Sequence, residues 1–193
     1  MKELEERILK DGTVKAGDIL KVDSFLNHQL DPALFYRMGQ EWKRLYEGEE
    51  ITKILTAATS GIGIAAVAAL PFSVPVVFAK KAKSANLSDD VYTVPVHSYT
   101  HNEEATLLVA KQYLGPEDRV LILDDFLANG AALMGLVDLA EKAGAKVVGA
   151  GVAIEKAYQP GGRRVRERGI RVEALARIAS MSDDGGITFL QEA

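Results

Sequence analysis

The sequence contains no cysteine, which excludes disulfide bonds and thiolate chemistry. This absence agrees with an intracellular protein without proving that location. Basic residues are in the minority, because 23 Lys and Arg stand against 27 Asp and Glu and give a formal net charge of -4 at pH 7. A net negative charge argues against a protein that binds the nucleic-acid backbone.

Long hydrophobic runs are lacking as well. The apolar stretch 62–70 is far too short to span a bilayer, and the charged start of the chain, residues 1–7, has no apolar core of a signal peptide. We therefore expect a soluble, cytoplasmic protein with no membrane partner. At 193 residues, with 48% hydrophobic and 26% charged residues, the chain is most simply one domain over residues 1–193.

Strand and helix patterns alternate along the chain. Apolar runs predict buried strands at 51–57, 74–79, 105–111, 119–124 and 146–154, with later strands at 170–178 and 186–191. Helical patterns occur at 2–10, after the Asp31-Pro32 start signal, from about 60 and at 131–143. A strand–helix–strand alternation is typical of parallel βαβ units, so we predict an α/β fold with a mainly parallel sheet flanked by helices.

The strand at 119–124 ends in chemistry-bearing residues. Four apolar residues, 120–123, stop at the two acids Asp124 and Asp125. A loop with small side chains follows and leads into a helix: Ala128, Asn129, Gly130, Ala131 and Ala132. Such a loop lets an anion approach the first helical amides, and the carboxylates suit the vicinal hydroxyls of a sugar. The pattern favours a sugar-phosphate site, although an ordinary turn, an N-cap or the acidic cluster of a receiver domain would also fit.

The strand, the acid pair and the loop resemble the nucleotide signature of type I phosphoribosyltransferases. The resemblance implies that the catalytic Asp124 and Asp125 hold the ribose hydroxyls of 5-phosphoribosyl 1-diphosphate (PRPP), and that the loop 128–132 binds its 5-phosphate. Many members of that family have threonines in this loop. Asn129, Ala131 and Ala132 stand here instead, which removes hydroxyl contacts to the phosphate but leaves the backbone amides.

A second Gly-rich loop, beginning Thr59, Ser60 and Gly61, precedes a short apolar helix. The segment 61–66 also fits the dinucleotide motif G-x-G-x-x-A, but that fold would place an acid about 20 residues later. Lysines at 80, 81 and 83 occupy that region instead. The loop therefore suits the diphosphate of PRPP, with one peptide bond expected to be cis, or serves only tight packing. Lys81 and its neighbours either neutralise the diphosphate or are simply solvated.

Over essentially its whole length the sequence is similar to the bacterial xanthine phosphoribosyltransferases, most clearly at 19–31, 57–63, 124–132 and 154–161. The resemblance implies that xanthine contacts Leu20, Asn27 and Lys156. An amide at Asn27 can both donate and accept, and Lys156 can donate to the 6-oxo oxygen while disfavouring the 6-amino group of adenine. Without the resemblance, Leu20 is equally a core residue and Lys156 a surface charge.

The resemblance also implies the reaction and its setting. Xanthine and PRPP would give xanthosine 5-monophosphate and diphosphate in purine salvage, with Mg²⁺ arriving on the diphosphate and no organic cofactor. It implies a homodimer, a small hood formed by about 1–30 and 155–193, and a flexible β-hairpin arm at about 80–104 that closes over the site. The basic segment 163–168 is expected to lie on a helix surface or at a dimer contact, and His28, His97 and His101 have no metal-ligand spacing.

Two alternatives remain. One is a related transferase that uses guanine, hypoxanthine or adenine. The other is a regulator that senses PRPP without catalysis and binds DNA. The second needs a basic recognition helix, and none precedes the first sheet strand.

Overall fold

Two helices and a short hairpin come before the main sheet in the computed structural model, which describes residues 1–16, 18–82, 90–98, 103–182 and 184–190. Helix α1 covers Lys2–Asp11, and strands β1 (Thr13–Lys15) and β2 (Ile19–Lys21) pair antiparallel. A π-helical turn, Asp23–Asn27, leads to helix α2, Pro32–Leu45. The predicted start of α2 is confirmed, because Asp31 Oδ1 accepts a hydrogen bond of 3.0 Å from the amide of Leu34 and caps the helix.

The main sheet has eight strands in the order β10-β9-β8-β7-β3-β4-β6-β5. In chain order its strands and helices are β3 (Lys53–Ala57), α3 (Ser60–Ala68), β4 (Val76–Ala82), β5 (Val91–Ser98), β6 (Glu103–Ala110), β7 (Arg119–Leu127), α4 (Ala131–Lys142), β8 (Lys146–Lys156), α5 (Gly161–Glu167), β9 (Val172–Met181) and β10 (Ile187–Phe189). The five strands from β9 to β4 run parallel to one another, and the pairs at both edges are antiparallel. The predicted α/β class is confirmed.

The two faces of β7 belong to two different cores. Leu121 and Leu123 pack in a cluster with α1, α2 and α3, whereas Val120 and Ile122 pack in a cluster with α4. Because successive side chains of a strand point to opposite faces, an unbroken apolar run of this kind requires helices on both sides. The strand therefore lies in the middle of a three-layer structure, with helices packed on both faces.

Strand β7 is longer than the sequence predicts. It runs through both acids to Leu127, because β8 continues alongside it and pairs Asp124 with Val152 and Leu127 with Glu155. The acids are thus strand residues and not the first residues of a loop.

The hairpin of β5 and β6 forms one edge of the sheet, with antiparallel pairing from Val91–Ala110 to Ser98–Glu103. Strand β5 packs on α4, where a Cβ atom on Gly135 would lie 2.4 Å from Val96 Cγ2. Of the predicted arm, residues 83–89 and 99–102 lie outside the described residues, including Lys83 and His101, and so does the side chain of His97. Closure of this arm over the site stays a prediction, as does the division into a core and a hood.

Within the described ranges, no helix is long and apolar enough to cross a membrane.

Candidate active site

The site lies where the chain changes direction across the sheet. From β3 the chain goes to β4 on one side, and β7 continues to β8 on the other. In an open α/β sheet, ligands bind in the crevice at such a switch point, outside the carboxyl ends of the strands. Four neighbouring strand ends therefore bring together the predicted site residues: Lys81 from β4, the 59–61 loop after β3, Asp124 and Asp125 from β7, and Lys156 from β8.

Asp124 and Asp125 differ in their surroundings. Asp124 is 5% exposed and Asp125 is half-buried. Burial, and then repulsion from Asp125, raises the pKa of the Asp124 carboxyl well above its ordinary value, while attraction to Lys81 opposes part of the rise. Each carboxylate accepts the amide of the following residue, at 3.0 Å for Asp125 N and 2.9 Å for Phe126 N. The pair therefore sits in a site that favours a bound group able to supply hydrogen-bond donors or positive charge.

The loop 128–132 is shaped by two close contacts. Asn129 Oδ1 accepts a hydrogen bond of 2.9 Å from Ala131 N, and Gly130 has a φ of +84°, which the absence of a side chain permits. Gly161 at the start of α5 donates its amide to the carbonyl of Ala128 at 2.9 Å. In this structure the Ala131 amide is thus satisfied within the loop. A phosphate could accept from that amide only after the Asn129 side chain turned away.

The 59–61 loop lies directly beside Asp124. A Cβ atom on Gly61 would be 2.1 Å from Thr56 Oγ1 and 3.4 Å from Asp124 Oδ1. Glycine at this position is therefore needed for packing, and the same packing brings the loop to the Asp124 carboxylate. The peptide bond between Ala58 and Thr59 is cis, as expected for this loop.

The two lysines at the end of β4 have different neighbours. Lys81 is exposed, and its positive charge acts on Asp124. Lys80 Nζ lies 5.9 Å from the centroid of the Phe78 ring, on the other face of the strand. Of these two lysines, Lys81 is therefore the one whose charge acts on the acid pair.

Lys156 at the end of β8 contacts the β1–β2 turn. It is 8% exposed, and its Nζ donates to the carbonyl oxygen of Asp18, a residue with a φ of +64°. The Asp18 carboxylate also accepts from the hydroxyl of Tyr158 and, at 2.5 Å, from Gln159 Nε2. Burial lowers the pKa of Lys156, and attraction to Asp18 opposes part of that change. The N-terminal hairpin thus closes against the same strand end that the sequence assigns to the purine.

The other two residues expected at the purine lie on this N-terminal segment. Leu20 is in β2, is 7% exposed and packs in the α1–α3 core cluster, while Asn27 ends the π-helical turn and is exposed. A role of either residue in binding stays a prediction.

Glu155 escaped sequence reasoning. It is 2% exposed, and its carboxylate accepts from both terminal nitrogens of Arg166 (2.6 and 3.0 Å) and from Arg177 Nε (2.9 Å). Arg166, which is expected from the sequence on a helix surface or at a dimer contact, lies on α5 with a partly exposed side chain and in addition pairs with this buried acid. An acid inside a buried strand requires a positively charged partner, so the position of Glu155 in β8 indicates that such a partner exists. The sequence pattern does not identify which arginine it is.

Mg²⁺ fits the acid pair by its chemistry. Carboxylate oxygens are the ligands that this hard cation prefers, and a nearby cation would favour the ionised form of Asp124, whose pKa is raised by burial and by repulsion from Asp125. In the part of the chain that the structure describes, no group of three or more His, Asp or Glu side chains could hold a metal by itself. The residues therefore suit a cation that arrives with a substrate.

The sequence is similar to known proteins over nearly its whole length. Residues 37–171 match the phosphoribosyl transferase domain. The chain is 58% identical to a xanthine phosphoribosyltransferase of Bifidobacterium longum over 98% of this chain and 99% of that protein. It is 54% identical to a xanthine phosphoribosyltransferase of Lachnoclostridium phytofermentans over 98% of each.

Solved structures match the same architecture. The adenine phosphoribosyltransferase of Giardia lamblia in complex with 9-deazaadenine is 25% identical, with a TM-score of 0.75 over 90% of this chain and 97% of that one. The adenine phosphoribosyltransferase of Trypanosoma brucei, solved with AMP, pyrophosphate and ribose-5-phosphate, gives a TM-score of 0.78 at 18% identity, over 94% of this chain and 82% of that one. The second likeness shows the fold alone.

Proposed function

Because this chain belongs to the phosphoribosyltransferase family and, within it, to the xanthine phosphoribosyltransferases, we propose a role in that reaction for each part of the site. The enzyme is a pentosyltransferase of purine salvage that converts xanthine and PRPP to xanthosine 5-monophosphate and diphosphate. The roles rest on one observation above all. Asp124 lies beside the 59–61 loop at the switch point of the sheet, while the 128–132 loop follows its own strand.

Asp124 and Asp125 bind the ribose hydroxyls of PRPP and act in catalysis. As the bond from C1 to the diphosphate breaks, the ribosyl ring gains positive charge, and fixed carboxylates nearby stabilise that charge. N9 of the purine then attacks C1 and loses its proton to the departing diphosphate or to water, so no covalent enzyme intermediate is needed. Hydroxyl donors on the substrate also favour the ionised form of Asp124, which burial and the charge of Asp125 disfavour.

The loop 128–132 binds the 5-phosphate through its amides. Ala128, Asn129, Gly130, Ala131 and Ala132 offer little side-chain bulk, and the first turn of α4 favours an anion. In this role the Asn129 side chain gives up its bond with Ala131 N to the incoming phosphate.

The diphosphate lies between the two strand ends on the other side. Thr59, Ser60 and Gly61 supply the loop at the start of α3, and Lys81 supplies a positive charge. Mg²⁺ accompanies the diphosphate and supplies further charge neutralisation there.

Xanthine binds against Leu20, Asn27 and Lys156. The Lys156 ammonium has three donors, so it can keep its bond to the Asp18 carbonyl and still donate to the 6-oxo oxygen. The 6-amino group of adenine is itself a donor and leaves the ammonium unmatched, which a buried site penalises strongly.

One assay tests the reaction and the base preference together. The purified chain is incubated with Mg–PRPP and separately with xanthine, guanine, hypoxanthine or adenine, and each nucleotide product is identified. We expect xanthosine 5-monophosphate as the most rapidly formed product. Best turnover of adenine would contradict the role of Lys156. Salt-sensitive DNA binding without any transfer would favour the regulator alternative.

We also propose that the enzyme acts as a homodimer in the cytoplasm. Both proposals are supported by the resemblance to the bacterial enzymes. Sedimentation velocity tests the first, and fractionation of cells tests the second.

A further inference from the structure

A buried ion-pair cluster joins three elements beside the site. Glu155 is the penultimate residue of β8, Arg166 is in α5, and Arg177 is in β9. The Glu155 side chain is 2% exposed, whereas those of Arg166 and Arg177 are 36% and 42% exposed. Burial alone would raise the pKa of Glu155, but the hydrogen bonds and charges of the two arginines outweigh it and lower that pKa. The carboxylate is therefore charged at neutral pH, and it binds α5 through the guanidinium group of Arg166.

Helix α5 touches both Glu155 and the 128–132 loop. A Cβ atom on Gly162 would lie 1.9 Å from Glu155 Oε1. A Cβ atom on Gly161 would lie 2.3 Å from the carbonyl oxygen of Ala128 and 2.6 Å from the amide nitrogen of Gly130. The Gly161-Gly162 pair thus lets the first turn of α5 sit directly between the loop and the carboxylate.

The connection is short and stiff. Gly161 donates its amide to Ala128, and five residues later the two nitrogens of Arg166 bind Glu155 in a bidentate pair. Bidentate arginine–carboxylate pairs fix orientation as well as distance. A displacement of α5 would therefore move the Ala128 carbonyl and the backbone of Gly130, which belong to the phosphate loop.

We propose that Glu155 is a positioning residue: through Arg166 it holds α5 against the loop 128–132 and so sets the shape of the 5-phosphate subsite. This inference rests on the proposed function of that loop. It assigns no role at the diphosphate, because the 59–61 loop is on β3 and α3, and none of the contacts described for α5 and Glu155 involves it.

The test compares two probes on the intact enzyme. Ribose 5-phosphate reports on the 128–132 loop, and Mg–diphosphate reports on the 59–61 loop; their dissociation constants are measured by titration calorimetry. The variants are Glu155→Gln, which is nearly isosteric, and Arg166→Gln, which shortens a partly exposed side chain; each breaks the bidentate pair. Arg163→Gln is the matched control, because Arg163 is on the same helix, is 75% exposed and pairs only at 3.7 Å with Glu167 among the described contacts.

We expect the dissociation constant of ribose 5-phosphate to rise roughly tenfold or more in both variants, since small misplacements of binding groups have effects of this size. That of Mg–diphosphate should change less than about twofold, and the control should match the wild type in both. If Glu155→Gln does not fold, the test rests on Arg166→Gln. The Arg166 side chain is more exposed than that of Glu155, so its replacement disturbs the core less.

Two other outcomes overturn the inference. Equal weakening of both probes would assign Glu155 a purely structural role, and unchanged ribose 5-phosphate binding in folded variants would remove the link through α5. In both cases the loop assignment survives. A wild-type enzyme that fails to bind ribose 5-phosphate would overturn the loop assignment itself, and this inference with it.

Discussion

At the scale of single residues, the acid pair is the first point to test. Asp124→Asn or Asp125→Asn keeps the side-chain shape but removes the negative charge that stabilises the ribosyl cation. We expect kcat/KM for PRPP to fall by a factor of about 100 or more, which is the size of effect seen when one electrostatic stabiliser is lost. Steady-state kinetics with xanthine in excess measures it.

The control for the acid pair is Glu117→Gln. Glu117 is exposed and comes just before β7, at the opposite end of the strand from the acids. Glu117→Gln removes one negative charge, as the aspartate substitutions do, but far from the carboxyl end of β7. It should therefore leave kcat/KM for PRPP at the wild-type value. Similar losses in all three variants would contradict a specific role of the acid pair.

Lys156 is a second residue whose charge can be tested apart from its bulk. Lys156→Met keeps a long apolar stem and removes the donor, so kcat/KM for xanthine should fall by a factor of about 10 to 100, the worth of one hydrogen bond to a charged group. Adenine use should not fall in parallel. Lys146→Met is the matched control, because Lys146 is exposed at the other end of β8. Equal losses with both bases would place Lys156 outside base selection.

At the scale of elements, β3 and α3 meet at Gly61 with no space for a side chain. In Gly61→Ala the new methyl group meets Thr56 Oγ1, a buried atom with no hydrogen-bond partner among the described residues. We expect α3 and its loop to shift, so that the inhibition constant of Mg–diphosphate rises roughly tenfold. Because the clash is with one oxygen, the double variant Thr56→Ala/Gly61→Ala should recover most of that affinity.

Gly115→Ala is the control for this substitution, since a Cβ atom there would meet nothing within 4 Å. It should bind Mg–diphosphate as the wild type does. If the double variant binds Mg–diphosphate no better than Gly61→Ala, the clash with Thr56 is not the cause.

Local signals explain which elements the sequence could predict. Three such signals are the Asp31 cap of α2, the apolar run of β7 and the small residues before α4. Each depends on residues only a few positions apart in the chain. The extension of β7 through two acids could not be predicted, because aspartate is unfavourable in strands and only the pairing with β8 keeps the chain extended there.

The parts of the site that sequence reasoning missed depend on contacts distant in the chain. Lys156 meets Asp18 across 138 positions, and Glu155 selects Arg166 and Arg177 from several nearby arginines. Packing of the elements decides both choices. The sequence predicted site residues at strand ends that the structure places side by side, but not the contacts of Glu155 and Lys156 with residues distant in the chain.

At the scale of the whole molecule, the Glu155 cluster should make stability depend on pH. The pKa of Glu155 in the folded protein is lower than the ordinary glutamate value of 4.5, to which it returns on unfolding. Above pH 4.5 the ionised carboxylate therefore stabilises the folded state. This stability is lost as the pH falls through the lower, folded pKa. Glu155→Gln should therefore lower the free energy of unfolding by about 2 kcal/mol near neutral pH, a typical value for hydrogen bonds to a charged group.

Urea unfolding at neutral pH and well below pH 4.5 measures this difference, which should shrink in acid. Glu167→Gln is the control, because that carboxylate is 67% exposed and its ion pair contributes little. A difference between wild type and Glu155→Gln that stays constant with pH would show that packing, and not the charge, is responsible.

The proposed homodimer needs an apolar surface, and the sheet offers one on the face opposite α4. A groove of about 570 Å³ there is lined by β4, β6 and the chain after β6, with Phe78 40% exposed and Tyr113 56% exposed. Stable dimers commonly bury about 800 Å² on each partner around an apolar centre, so a charge at this centre should be strongly unfavourable.

We predict that Phe78→Glu sediments as a monomer of 20.9 kDa at concentrations where the wild type is a dimer. Tyr36→Glu, a change at an aromatic residue of α2 that is 42% exposed, should remain dimeric. Dimers of unchanged affinity in Phe78→Glu would exclude this face, and a monomeric wild type would exclude the dimer.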